Sequence, residues 1–292
     1  MAERSDARLL LAPAKVNLSL RVLGRRQDGY HELISRVAFA DLHDRIVVGP
    51  ARAGEKDTLD LSGPFAGTLE PDNLILRAVA RFREAFPSLA PLRISLKKHI
   101  PVAAGLGGGS ADAAAMLRHL ARFANCDPMN PRIQAIAATL GADVPVCLEP
   151  VSRTMRGTGT KLDPPREDFP EQPVLLVNPG VAVPTGAVFT VLGAGPLSDG
   201  FAALSAEEER NDLEMPARKV AREVGEVLDV LRGLTSPRAV GLSGSGATCF
   251  ALFSDETARD RAAAEITAVH PDWWLHAGML RNWEAGELES VA

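Results

Sequence analysis

The sequence predicts an α+β protein of two domains, and three observations carry that prediction. The first half is rich in short apolar stretches and contains one clean alternation, Leu92–Lys98. There Leu92, Ile94 and Leu96 share one face and Arg93, Ser95 and Lys97 the other, the period of a half-buried strand. The second half runs strand, helix, strand, strand, helix, which fits a split, mostly antiparallel sheet with helices on one side. Between the halves lies Asp163–Pro173, DPPREDFPEQP, with four prolines and four acidic residues. That stretch reads as a linker and divides the chain into residues 1–162 and 163–292.

The elements follow in order. Val16–Leu23 and Ile46–Val48 are short apolar strands. Asn73–Phe86 has Leu74, Ala78 and Phe82 at helical spacing. After Leu92–Lys98 comes PVAAGLGGGSADAAA, Pro101–Ala115, and then a helix with Ala113, Leu117, Leu120 and Ala124 on one face and Arg118, His119 and Arg122 on the other. A second helix near Arg132–Leu140 ends at Gly141, a C-cap glycine. Beyond the linker, Val174–Val177 is a buried strand. Met215–Leu234 reads as one long helix with Val220, Val224, Val227 and Leu231 in register. Ala239–Leu242 and Cys249–Phe253 flank the turn-rich GSGAT, and Glu256–Val269 is a further helix. This order predicts a ferredoxin-like second domain.

Composition narrows the function classes. The net charge of −5 argues against nucleic acid or an anionic membrane as general partner. The N-terminal MAERSDARLLLAPAK is charged, with too short an apolar run for a signal peptide, and no stretch is long enough to span a bilayer. Cys126, Cys147 and Cys249 are scattered and odd in number, so they read as reduced thiols of a cytoplasmic protein. The six histidines form no metal-ligand spacing, so no protein-held metal is expected.

The glycine loop carries the chemistry. Gly105, Gly107, Gly108 and Gly109 fall within five residues, and without Cβ atoms they let backbone N–H groups close on an anion. Ser110 stands where a helix begins, able to cap it or to touch a phosphate, and the helix N-terminus adds unpaired donors and partial positive charge. No Gly-Lys-Ser/Thr follows, so this is not a P-loop, and Ser110 replaces the last glycine of the dinucleotide fingerprint. Taken alone, the loop is equally a flexible turn or a phosphate site.

Three segments together resemble the GHMP kinase superfamily: PVAAGLGGGSADAAA its nucleotide-binding motif, APAKVNLSLRVLGRRQDGYHEL (residues 12–33) its first motif, and GLSGSGATCFALF (residues 241–253) its third. AKVNL followed by DGYHEL, PDNLILRA at residues 71–78 and LGADVPVCL at 140–148 are similar to one branch. Its members phosphorylate the 2-hydroxyl of 4-diphosphocytidyl-2-C-methyl-D-erythritol in the non-mevalonate route to isoprenoid precursors.

The resemblance implies an N-terminal domain like the second domain of ribosomal protein S5, a ferredoxin-like C-terminal domain, and ATP as phosphoryl donor. It implies ATP contacts from Pro101, Val102, Ala103, Ala104, Gly105, Leu106, Gly107, Gly108, Gly109, Ser110 and Ala111. Asp143, in GADVP, matches the catalytic aspartate, expected to act as base toward the substrate hydroxyl. By composition alone an aspartate after Gly141 would read as a turn cap. Lys15 matches the catalytic lysine. It is the only charge between Arg8 and Arg21, and a lone lysine in an apolar stretch needs a buried partner or a wet cleft.

Tyr30, the only tyrosine, and His31 match residues at the cytidine, the ring stacking on the base and the imidazole hydrogen-bonding to it. Asn17, Thr185 and Phe189 match other substrate positions. GSGAT, Gly244–Thr248, either closes the site from the second domain or is a plain hairpin turn. No match to a magnesium-binding glutamate is found, so Mg2+ is expected as Mg-ATP, with no protein ligand.

Three rivals compete. Another GHMP kinase acting on homoserine or mevalonate is opposed by DGYH and GADVP. A non-catalytic binding protein of the same fold is opposed by the presence of both Lys15 and Asp143. A dinucleotide-dependent reductase is opposed by Ser110 and by the lack of a repeated βαβ pattern.

Overall fold

A computed structural model describes residues 7–52, 54–68, 73–197 and 210–292. The first two residues of the PDNLILRA motif, Pro71 and Asp72, lie outside the described residues. The chain opens with two long strands, β1 (Arg8–Arg25) and β2 (His31–Pro50), and then β3 (Thr58–Ser62). Helix α1 (Leu74–Ala85) starts at Asn73, whose side chain accepts from the Ile75 amide at 2.9 Å as an N-cap. Next come β4 (Leu92–Lys97), with the alternating burial read from its sequence, and α2 (Gly108–Phe123), α3 (Pro131–Leu140) and the short α4 (Val144–Cys147). Strands β5 (Arg153–Gly157), β6 (Lys161–Leu162) and β7 (Gln172–Asn178) follow. The remaining elements are α5 (Thr185–Leu192), α6 (Glu214–Val220), α7 (Arg222–Gly233), β8 (Ala239–Leu242), β9 (Cys249–Leu252), α8 (Glu256–Val269), β10 (Trp274–Arg281) and β11 (Glu289–Val291).

The described strands form one sheet whose main path is β11-β1-β2-β10-β7-β9-β8. Along one edge β2 takes three successive antiparallel partners: β5 opposite residues 33–37, β10 opposite Phe39 and Ala40, and β4 opposite residues 45–50. That length explains why β1, on its other edge, is buried almost throughout. Leu10 and Ala12 enter a core with α1 to α4, Leu20 enters one with α5 to α8, and Ala14, Val16 and Leu18 enter a third. The third core joins the halves, because it also takes Val174, Phe250 and Leu280 and, from the glycine loop, Ile100, Ala104 and Leu106. Apolar burial at about 25 cal/mol per Å² thus seats the loop at the junction.

Two local expectations change. Met215–Leu234 is two helices, not one: Ala221 is extended (φ −141°, ψ 110°) and separates α6 from α7. The break lets Ala217 and Val224 reach the same core from two directions, and Gly225 permits Arg218 to lie against α7, where a Cβ would sit 3.2 Å from its guanidinium. The proline-rich Asp163–Pro173 is pinned to the body of the protein. Asp163 pairs with Arg156 at 3.0 Å, the Arg166 carbonyl accepts from Asn282 Nδ2, Phe169 packs on the third core, and β7 begins at Gln172. After β10 the chain returns to the first half, where Trp283 and Leu288 enter the first core and β11 pairs with β1. Among the described residues no helix is long and apolar enough to cross a membrane.

Candidate active site

Lys15 and Asn17 lie two apart on β1, so their side chains leave the same face. The β1–β2 register shifts between Pro13 and Lys15 and again between Asn17 and Ser19, and these bulges aim both residues at the loop. Lys15 is 3% exposed. Its Nζ donates to buried Asn17 Oδ1 at 2.7 Å and pairs with Asp143 Oδ2 at 2.9 Å at the edge of a cleft, so its charge is partnered as its setting demands. Asp143 stands at the N-cap position of α4 yet its side chain makes no capping bond. The carboxylate, 32% exposed, instead faces Lys15 and the cavity. Asn17 is held from behind: its Nδ2 donates to Ser35 Oγ at 2.7 Å, and Ser35 Oγ donates to the Ser19 carbonyl at 2.6 Å.

The glycine loop crosses directly over this pair. Gly107 has φ 64° and is the N-cap of α2, which puts Ser110 third in the helix rather than at the cap; no side chain caps it. The left-handed turn at Gly107 starts the helix and leaves its first amides without a side-chain cap. A Cβ on Gly107 would lie 3.2 Å from Lys15 Cε, and one on Gly105 (φ 77°) would lie 2.3 Å from the Ser243 carbonyl oxygen. Gly105 is therefore required for the loop to meet the β8–β9 turn. There Ser243 Oγ donates to the Gly105 carbonyl at 2.9 Å and accepts from the Asn17 amide at 3.1 Å. The Lys15 amide donates to the Leu106 carbonyl at 2.9 Å, closing the contact between β1 and the loop.

Two cavities meet at the loop. The larger, about 680 Å³, is lined by Lys15, Asn17, Tyr30, His31, Asp143, Thr185 and Phe189 together with Ala103, Gly105, Gly107, Ser110 and Gly244–Gly246. It thus gathers both catalytic candidates and every predicted substrate residue. The smaller, about 300 Å³, is lined by Pro101, Val102, Ala104, Gly108 and Gly109, shares Ala103, Gly105, Gly107 and Ser110 with the first, and adds Asn73, Leu74, Lys98 and Asp112. Leu106 and Ala111, both expected at the nucleotide, turn their side chains into the cores.

On the far wall of the larger cavity Tyr30 is 68% exposed. Its turn is clamped by Arg26, whose amide donates to the Tyr30 carbonyl at 2.7 Å and whose guanidinium holds Asp28 and Glu32. The His31 ring stacks on Phe189, centroids 4.5 Å apart and planes 22° apart. Burial and then Arg25 push the His31 pKa below its ordinary value, so the ring is neutral at pH 7 and offers one donor and one acceptor. Thr185 Oγ1 lies 2.8 Å from Ser245 Oγ, joining α5 to the GSGAT turn, which is both the hairpin between β8 and β9 and part of the cavity wall.

Sequence reasoning missed several residues here. Thr158, between β5 and β6, lines the larger cavity, and Lys98 and Asp112 line the smaller. Asn211 Nδ2 donates to the Leu242 and Gly244 carbonyls at 2.8 and 2.7 Å and so holds the GSGAT turn. Asp112 lies inside the glycine motif but was given no role there, while Thr158, Lys98 and Asn211 lie in no motif quoted for its chemistry, and the partners of Lys98 and Asn211 are distant in sequence. Cys147 and Cys249 are buried and free, with burial raising both thiols, so neither is a nucleophile.

A glycine loop opening a helix beside a paired lysine and aspartate, in a cleft with an aromatic wall, fits the GHMP class of small-molecule kinases. The family description "GHMP kinases N terminal domain" matches residues 73–149, and "GHMP kinases C terminal" matches residues 198–272. A protein of Rhodopseudomonas palustris named 4-diphosphocytidyl-2-C-methyl-D-erythritol kinase is 44% identical, covering 96% of this chain and 98% of its own. One of the same name from Methylorubrum extorquens is 46% identical over 90% of this chain and 96% of its own. A crystal structure of 4-(cytidine 5'-diphospho)-2C-methyl-D-erythritol kinase has a TM-score of 0.75 at 38% identity, covering 94% of this chain and 100% of that one. A homoserine kinase from Cytophaga hutchinsonii, at TM-score 0.70 and 16% identity, shares the fold. The chain belongs to the 4-diphosphocytidyl-2-C-methyl-D-erythritol kinase family of the GHMP kinases, which use ATP as phosphoryl donor.

Proposed function

We infer that this chain transfers the γ-phosphoryl group of ATP to the 2-hydroxyl of 4-diphosphocytidyl-2-C-methyl-D-erythritol, a step of the non-mevalonate route to isoprenoid precursors. The observation that carries the reading is the 2.9 Å Lys15–Asp143 pair in the cavity that also holds Tyr30 and His31. Asp143 takes the proton of the acceptor hydroxyl as its oxygen forms the new P–O bond and the bond to the ADP oxygen breaks. The exposed side of the carboxylate then passes that proton to solvent. Lys15 orients Asp143 and offsets charge on the transferring group. Backbone N–H groups of the glycine loop and the α2 N-terminus hold the phosphates. Tyr30 stacks on the cytosine, and neutral His31, steadied by Phe189, reads its edge. Asn17 and Thr185 orient the acceptor.

Mg2+ enters with ATP, held by phosphates and water, and we assign it no protein ligand. Loop amides suit phosphate oxygens rather than a cation, and the carboxylates nearest the loop, Asp143, Asp112 and Asp44, each face a lysine ammonium. We keep the division at residues 1–162 and 163–292, the first part carrying ATP and the catalytic pair. The long β1–β2 pair with α2 packed on β1 supports an S5-like first domain. The antiparallel order β10-β7-β9-β8 supports a ferredoxin-like second one. The reaction belongs in the cytoplasm, where ATP is available, and needs neither nucleic acid nor membrane.

A turnover assay supplying the cytidine-linked substrate beside homoserine and mevalonate tests the acceptor. Phosphorylation of the cytidine compound alone is expected. A preference for either of the others would assign the chain to a different acceptor.

A further inference from the structure

A second lysine–carboxylate grouping lies beneath the glycine loop, sealed from water: Lys98, Asp44 and Asp112, each at most 2% exposed. Lys98 follows β4, Asp44 is on β2, and Asp112 is the fifth residue of α2. Lys98 Nζ donates to Asp44 and, at 2.8 Å, to Asp112 Oδ2. Asp44 Oδ1 accepts from the His99 and Ile100 amides at 2.5 and 2.9 Å. One ammonium therefore ties both ends of the loop together: the strand end through Asp44, the helix start through Asp112. Gly108 makes the approach possible, since a Cβ there would lie 3.2 Å from Lys98 Nζ and 3.0 Å from Ile100.

Asp112 Oδ1 is buried without a hydrogen-bond partner, and Asp112 and Lys98 both line the smaller cavity beside Gly108, Gly109 and Ser110. We propose that Lys98, Asp44 and Asp112 are positioning residues for ATP, fixing the span of the glycine loop, and that their net charge sets how tightly the loop holds the phosphates. The proposal rests on the glycine loop being the ATP site.

With both carboxylates ionised the cluster carries one net negative charge under a phosphate site; with one proton it is neutral. Burial pushes the Asp112 carboxyl up to about 8 against the pull of Lys98, so the neutral form prevails at pH 7. The other titratable group facing Asp112 is Cys147 on α4, raised to about 12 and therefore neutral. Lys15 and Asp143 face Gly107, one residue before Gly108. By reciprocity, if deprotonation of Asp112 weakens ATP, bound ATP raises the Asp112 pKa further.

The test is calorimetric titration of Mg-ATP from pH 6.5 to 9.5 into wild type, Asp112→Asn and Gly109→Val, without acceptor. Wild-type affinity is expected to hold to about pH 7.5 and to fall roughly tenfold by pH 9.5, while Asp112→Asn changes less than about twofold. Asp112→Ser gives the same flat profile if the asparagine variant does not fold. A flat wild-type profile, or an Asp112 variant that weakens as wild type does, overturns the proposal. Gly109 has an ordinary φ and only Leu74 within 4 Å of a Cβ, so Gly109→Val folds and loses ATP binding by blocking the loop. Full ATP affinity in that variant would overturn the reading of the loop itself, and the proposal with it.

Discussion

Two lysine–carboxylate groupings flank one glycine loop, and they differ in access and in number. Lys15 meets a single carboxylate, Asp143, whose side chain is 32% exposed toward the larger cavity. Lys98 meets two, Asp44 and Asp112, and all three are shut away from solvent. In the open pair the carboxylate faces the cavity and solvent, where the proposed reaction needs an oxygen to meet the acceptor and a route for its proton. In the sealed triad three of the four carboxylate oxygens meet Lys98 or backbone amides, and on the proposed reading the triad holds the loop in shape. On the proposed reading, similar side chains serve chemistry on one side of Gly107–Gly108 and geometry on the other, with water access deciding which.

Substitutions sharpen that contrast. Lys15→Met is expected to lower turnover by roughly 10²–10⁴ while the protein folds normally, because the partly exposed Asp143 is rehydrated; steady-state kinetics beside a melting curve reads both. Lys98→Met is expected to act in the opposite place, costing about 3–5 kcal/mol of unfolding free energy in denaturant titrations because the buried carboxyl pair loses the ammonium that balances its charge. If Lys15→Met proved the more destabilising of the two, the division of labour would be reversed.

The pH dependence of stability is the next largest effect. An Asp112 pKa raised above its unfolded value contributes stability that is full below the unfolded pKa, near 3.8, and is lost as pH rises through about 8. Between pH 5 and 8, wild type should lose stability relative to Asp112→Asn at about 1 kcal/mol per pH unit, measured by urea unfolding. Smallest is Phe189→Ala, which removes the stack on His31 and should raise the KM for the acceptor several-fold, about 1 kcal/mol, with the KM for ATP unchanged.

The lining of the larger cavity was legible in the sequence because its candidate residues sit in contiguous segments: PAKVN gives Lys15 and Asn17, DGYH gives Tyr30 and His31, and GADVP gives Asp143. The lone charge of Lys15 in an apolar strand pointed to a buried partner or a wet cleft without any structure. The sealed triad was not legible, since residues 44, 98 and 112 come from three elements whose meeting depends on tertiary packing. The start of α2 was read from its glycines, yet Ser110 was misplaced because a left-handed glycine at 107 turns the chain into the helix three residues sooner than a cap at Ser110 would have allowed. The break at Ala221 was hidden for a similar reason: Val220, Val224 and Val227 keep helical spacing straight through it, and the turn is imposed by the shared core rather than by a proline or glycine at that position.

The open pair is tested most directly by ADP release from ATP and 4-diphosphocytidyl-2-C-methyl-D-erythritol, measured for wild type and Asp143→Asn together. Wild type should release ADP in step with acceptor phosphorylation. The variant, folded and still binding both substrates, should be slower by roughly 10²–10⁴, about 3–5 kcal/mol of barrier. No ADP release by folded wild type, or near-normal turnover in Asp143→Asn, would contradict the assignment.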